Sequence, residues 1–75
     1  MITIYGATWC VYCMKAKELA EEKGLEYEFK NVDFDEFRKE FKEFFPTART
    51  IPQIIMNDKH IGGYEELSTL LYSEN

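Results

Sequence analysis

The chain is poor in the residues that build metal sites, covalent staples and nucleic-acid surfaces. Its 75 residues include one histidine and two cysteines. Structural zinc needs four ligands, usually thiolate or imidazole. Beyond the cysteines only His60 could contribute, so no metal site is expected within one chain. Cations are outnumbered, nine Lys and Arg against fourteen Asp and Glu, a net charge of −5. Nucleic-acid binding needs a basic patch to displace counterions. None is visible, and anionic membrane surfaces are disfavoured for the same reason. No apolar run approaches the roughly 20 residues of a membrane span. Met1-Ile2-Thr3-Ile4-Tyr5 carries no basic n-region and no long apolar h-region, so no signal peptide is expected. The default compartment is a reducing cytosol. Linkers, internal repeats and low-complexity stretches are also missing, and residues 1–75 read as one small domain.

A chain this short buries only about 60% of its unfolded surface, so it needs a dense core or a staple. The aromatic content of 16% supplies material for the core. The cysteines make a poor staple. A Cys10–Cys13 disulfide would close a tiny loop and restrict the unfolded chain very little.

The elements follow from periodicity. Ile2 to Tyr5 alternates and is β-branched or aromatic, a first strand ended by Gly6. From Val11 the pattern is helical, with Cys13, Ala16, Leu19 and Ala20 on one side and Gly24 as C-cap. Leu25, Tyr27 and Phe29 alternate with charged residues, a half-buried strand. Asp33 or Asp35 is expected to cap a second helix, whose Phe34, Phe37, Phe41, Phe44 and Phe45 would pack on the sheet. Pro46 stops it. Ile54-Ile55-Met56 reads as a buried strand, Asn57-Asp58-Lys59 as a hairpin turn and His60-Ile61 as the return strand. After Gly62-Gly63, Tyr64 to Tyr72 forms a last helix with Leu67, Leu70 and Leu71 inward. The order is β-α-β-α-β-β-α. With a parallel first βαβ unit and an antiparallel final hairpin, it predicts an α/β fold with a four-stranded mixed sheet and helices on both faces.

The stretch with chemistry is Cys10-Val11-Tyr12-Cys13. A thiol attacks as thiolate, and the first turn of a helix offers unpaired N–H groups and partial positive charge that favour it. Cys10 falls at that position. Cys13 lies a turn further on, more buried, and keeps its proton longer. The asymmetry makes Cys10 the attacking thiol and Cys13 the one that resolves the mixed disulfide. Two cysteines in four residues after a strand are an unusual way to fill a core, which favours redox chemistry over a packing role.

Two further stretches gain meaning beside it. Thr50-Ile51-Pro52 precedes a buried strand, where proline is allowed. A cis Ile51-Pro52 bond would turn the Ile51 backbone outward to pair with an extended substrate. Gly62-Gly63-Tyr64-Glu65-Glu66 is a tight turn leading into a helix N-terminus, where a substrate carboxylate could dock.

Together these stretches resemble the glutaredoxins of the thioredoxin-like superfamily, whose usual forms are Cys-Pro-Tyr-Cys, Thr-Val-Pro-Gln-Ile and Ile-Gly-Gly-Cys/Phe-Asp-Asp-Leu. The resemblance implies a thioredoxin-like fold with the proline cis and a thiol–disulfide oxidoreductase acting on protein disulfides and glutathione mixed disulfides. Glutathione would be the reducing co-substrate, with no bound cofactor. It implies Cys10 as nucleophile and Cys13 as resolving thiol, and Tyr12 beside the glutathione sulfur. The Ile51 backbone, next to Pro52, would pair with the cysteinyl part. The Gly63 and Tyr64 amides, with Glu65, would hold the γ-glutamyl end, and Arg49 the glycyl carboxylate. The chain departs from the pattern in places. Ala7 or Thr8 stands where glutaredoxins often carry lysine, Val11 replaces proline, and Trp9 gives a thioredoxin-like Trp-Cys-X-X-Cys. Such mixed character is similar to that of small redoxins, some phage-encoded, that reduce ribonucleotide reductase. A flavin-dependent thioredoxin reductase as donor is a second reading, and an iron–sulfur or metal carrier a third. The lack of an apolar stripe beyond the core sets predicts a monomer, and the cysteine usage with no signal peptide a cytoplasmic one.

Overall fold

The computed structural model describes residues 1–72. The elements run β1 (Ile2–Gly6), α1 (Val11–Glu22), β2 (Tyr27–Asn31), α2 (Asp35–Phe44), β3 (Gln53–Met56), β4 (Lys59–Gly62) and α3 (Tyr64–Tyr72). This is the order that periodicity predicts. The strands form one sheet in the order β2-β1-β3-β4. β1 and β2 are parallel, with Ile2 opposite Tyr27, and α1 is the crossover between them. β3 is antiparallel to β1, and β4 antiparallel to β3.

Alternation along β1 divides its side chains between the two faces. Ile2 and Ile4 join Ala16, Leu19 and Ala20 of α1, Ile54 of β3, and Leu67 and Leu71 of α3 in the main core. Each fully buried Ile or Leu contributes about 1.5–3 kcal/mol relative to exposure. Tyr5 points the other way, toward α2, where its ring meets Phe41 and Phe45 edge-on at 6.2 and 5.5 Å. Its hydroxyl donates to Glu40, which also pairs with Lys30. The Lys30 ammonium beside Glu40 holds that carboxyl below its usual range, with the Tyr5 hydroxyl as the smaller cause.

Local chemistry explains the joints. Gly24 takes φ +67° just past α1. Its N–H reaches the Glu21 carbonyl and the Leu25 N–H reaches that of Ala20, a Schellman motif that returns Leu25 to the core. Asn57 and Asp58 both take positive φ, 52° and 66°, the two-residue turn that suits the twist of a hairpin. In β4 the register slips: Ile54 faces Gly62 while Ile55 faces His60, leaving Ile61 as the extra residue.

Three details depart from expectation. Phe34, not an aspartate, caps α2, and it does so without a side-chain bond. The Asp33 carboxylate instead accepts the Trp9 indole N–H, while Asp35 enters the first turn and complements the helix dipole. Phe34 and Phe44 are exposed rather than packed. Phe34 is extended and so off the helical wheel, and Phe45, leaving the helical path at φ −130°, takes the inward place. Leu70 is also on the exposed side of α3, where Leu67 and Leu71 suffice to cover the core.

Candidate active site

The loop after β1 closes with a bond from the Cys10 N–H to the Ala7 carbonyl at 3.2 Å, and α1 begins at Val11. Cys10 is the N-cap of α1, with extended backbone at φ −93° and ψ 117°. Its Sγ does the work a serine or aspartate oxygen usually does there. It accepts the Cys13 N–H at 3.3 Å. The half-buried sulfur thus caps a first-turn N–H that has no partner within the helix.

Cys13 is fully buried, as α1's apolar face requires. Gly6 makes the room: a Cβ there would stand 2.6 Å from the Cys13 Sγ. Burial pushes the Cys13 thiol up from an ordinary 9.0 to about 12. The hydrogen bond and the charge of Cys10 push the same way, while the Ala7 backbone offsets part of the shift. Both cysteines are free thiols in this structure.

Opposite Cys10 lies the Ile51-Pro52 peptide, which is cis. The Cys10 thiol faces the Ile51 carbonyl at 3.8 Å. From there opens a groove of about 440 Å³, lined by Tyr12, Thr50, Ile51, Pro52, Gly63, Tyr64, Glu65 and Glu66. Tyr12 and Tyr64 face each other across it with ring centres 5.9 Å apart. Thus Tyr12, Ile51, Pro52, Gly63, Tyr64 and Glu65, all singled out from sequence, converge beside the cysteines. Arg49 is exposed and is not among the residues lining this groove.

The end of the groove at α3 carries a bond that the sequence reading did not include. The Gly63 N–H donates to Glu66 Oε1 at 2.7 Å, the backward half of a capping box. Glu66 folds over the diglycine so closely that a Cβ on Gly62 would lie 2.8 Å from its Cγ. Gly62 itself sits at φ +116°, where only glycine is at ease. Glu66 stands three residues after Gly63, and that capping spacing was the available signal. Thr50 is held from the other side: its carbonyl accepts the Gln53 side-chain amide at 3.0 Å, and Gln53 in turn meets His60 at 2.8 Å. Lys15 was also passed over. Its Nζ lies 5.3 Å from the Tyr12 ring centre, one helical turn on.

Paired free thiols at the head of the crossover helix, on a mixed sheet with a cis proline facing them, are the arrangement of a thioredoxin-like fold. Comparison narrows this. The family model described as Glutaredoxin matches residues 2–61, and the chain belongs to the glutaredoxin family. It is 37% identical over 73 residues to glutaredoxin 1 of Rickettsia conorii, covering 92% of this chain and 70% of that one. The crystal structure of Francisella tularensis glutaredoxin 1 superposes with a TM-score of 0.79 at 29% identity, over 96% of this chain and 92% of that one. A buckwheat glutaredoxin, solved as a glutathione complex, shares the fold at a TM-score of 0.77 and 23% identity, over 97% of this chain and 70% of that one. The protein is a thiol–disulfide oxidoreductase.

Proposed function

We propose that the protein reduces glutathione mixed disulfides and protein disulfides, with glutathione as its reducing co-substrate, and that Cys10 and Cys13 carry the reaction. The Cys10 thiolate attacks one sulfur of the substrate disulfide. A Cys10–substrate disulfide forms, and the other sulfur leaves as a thiolate that takes up a proton. Cys13 then loses its proton, attacks the Cys10 sulfur and expels the second substrate thiolate. Two electrons pass to the substrate and the pair becomes a disulfide. Two glutathiones restore it, forming one glutathione disulfide. Once Cys10 is in a mixed disulfide, its hydrogen bond and charge no longer raise Cys13. The buried thiol becomes more acidic at the step that needs it.

The observation that carries this reading is the Cys13 N–H directed at the Cys10 sulfur, with that sulfur opening onto the Ile51 carbonyl. A cysteinyl backbone seated against Ile51 would put its sulfur beside Cys10, with Pro52 below and Tyr12 alongside. The γ-glutamyl end would lie toward α3. Because Gly63 is engaged by Glu66, its carboxylate would be held by the N–H groups of Tyr64 and Glu65, which open the helix. Glu65 is then close to the γ-glutamyl ammonium. Arg49, beside Thr50 and exposed, is assigned the glycyl carboxylate at the open end. The glutathione complex of the buckwheat protein supports the same ligand here. The natural protein substrate is of the ribonucleotide-reductase kind by resemblance, the setting a reducing cytosol, and the working unit a monomer.

Trp9, exposed directly before Cys10, favours a second donor, a flavin-dependent thioredoxin reductase. Steady-state reduction of a small mixed disulfide, driven in parallel by glutathione with glutathione reductase and by thioredoxin reductase, tests the proposal. Turnover with glutathione is expected; turnover only with thioredoxin reductase overturns it.

A further inference from the structure

A second groove also opens on Cys10. It holds about 320 Å³, and its walls include Thr8, Trp9, Val11, Met14 and Lys15. It shares no lining residue with the Tyr12–Tyr64 groove, so a ligand seated there leaves it empty. Its rim is open to water and sets two apolar side chains, Trp9 (70% exposed) and Val11 (66%), beside the charged Lys15 and Glu18. Large apolar side chains grouped on the surface beside a reactive sulfur mark an interaction site.

The indole does not hang free. Its N–H donates to Asp33 Oδ2 at 3.0 Å. Asp33 is fixed in its turn, its N–H on Asn31 Oδ1 at 2.9 Å and its carbonyl accepting Arg38 Nη2 at 3.0 Å. Arg38 belongs to α2, and its Nε also reaches the Val32 carbonyl at 3.2 Å. The β2–α2 connection thus presents Trp9 in one orientation. Ordering a side chain on docking costs about 0.5–1.5 kcal/mol, which a tethered indole has already met. Pre-ordered tryptophans are frequent anchors of polypeptide interfaces.

We infer that this groove docks the polypeptide flanking the substrate cysteine, through an apolar side chain seated against Trp9, Val11 and Met14, and that Asp33 is the positioning residue for Trp9. The inference rests on the reading that Cys10 is the nucleophile. Glutathione carries no apolar side chain, so the groove sorts polypeptide disulfides from small ones.

The test is single-turnover transfer from the pre-reduced protein, with no donor present. The probes are the disulfides of insulin and bis(2-hydroxyethyl) disulfide. In Trp9→Ala the rate constant for insulin is expected to fall about tenfold, equivalent to about 1.4 kcal/mol, while that for the small disulfide stays within about twofold. Asp33→Ala should fall in the same direction by about threefold on insulin only. Asp33→Asn keeps an acceptor for the indole and should restore the rate, a rescue that a merely structural defect would not show. Equal losses on both probes, or an unchanged insulin rate in Trp9→Ala, overturn the inference. Transfer retained in Cys10→Ser would overturn the nucleophile assignment and the inference with it.

Discussion

The backbone N–H of Cys13 points at the sulfur of Cys10 from 3.3 Å, while the thiol of Cys13 itself is sealed from water. Cys13 thus caps its neighbour's sulfur through its backbone, while burial resists charge on its own thiol. In a thiolate absorbance titration of the reduced protein, the Cys13 step should appear only near 12. Cys10→Ser should bring that step down, because the Cys10 hydrogen bond and charge both raise it. A Cys13 step unmoved by Cys10→Ser would contradict the coupling.

The same pair predicts a division of activities. Cys13→Ser should still release glutathione from small mixed disulfides but lose most reduction of protein disulfides, by about 100-fold or more, since no resolving thiol remains. Cys10→Ser should lose both. Parallel assays on the two substrate types make the comparison.

Stability should fall on the alkaline side. The folded-state pKa of Cys13 is raised from 9.0 and that of Tyr5 from 10.0, each to about 12, burial being the main cause of both. Between the lower and upper values the unfolded chain has released protons that the folded chain retains. Unfolding is thereby favoured as pH rises from about 9 toward 12, and the contribution of these groups is intact below 9. Denaturant midpoints across this range should decline. Tyr5→Phe, which leaves the Glu40–Lys30 pair in place, should flatten the upper part of the decline.

Glu66 occupies the Gly63 N–H at the α3 end of the groove proposed for glutathione. Glu66→Ala should lower stability by about 1 kcal/mol, the usual effect of losing a cap. It should also free that donor and remove a negative charge, so the KM for a glutathione mixed disulfide should fall. A KM that rises would show that Glu66 assists the ligand.

Gly6→Ala places a methyl group 2.6 Å from the Cys13 sulfur, inside the sum of their radii. Overpacking of this kind costs about 1–3 kcal/mol. A thermal melt reads the loss. Pairing it with Cys13→Ala removes the sulfur but keeps the Cys13 Cβ at 2.9 Å, so only part of the loss should be recovered.

The order of elements and both core faces were legible because period-two and helical patterns are clean here, from Ile2 and Ile4 to Ala16, Leu19 and Ala20. The Cys10 site, Pro52 and the diglycine were legible as short motifs. The rest depended on side chains far apart in sequence. Asp33 looked like a cap, yet its carboxylate is engaged by Trp9, twenty-four residues earlier. The stripe from Phe34 to Phe45 implied one packed face, but an extended residue at the start and a departing one at the end broke the wheel. The engagement of Gly63 by Glu66 had a readable spacing, but a capping residue and a ligand site at one helix end look alike until the bond is seen.

Trp9 is the chain's sole tryptophan, and it stands one residue before Cys10 with its indole held in place. Its fluorescence therefore has a single source, in a fixed position beside the Cys10 sulfur, the proposed nucleophile. The molecule carries its own optical gauge. Oxidation, formation of a mixed disulfide and arrival of a partner can each be followed in real time on the unlabelled protein.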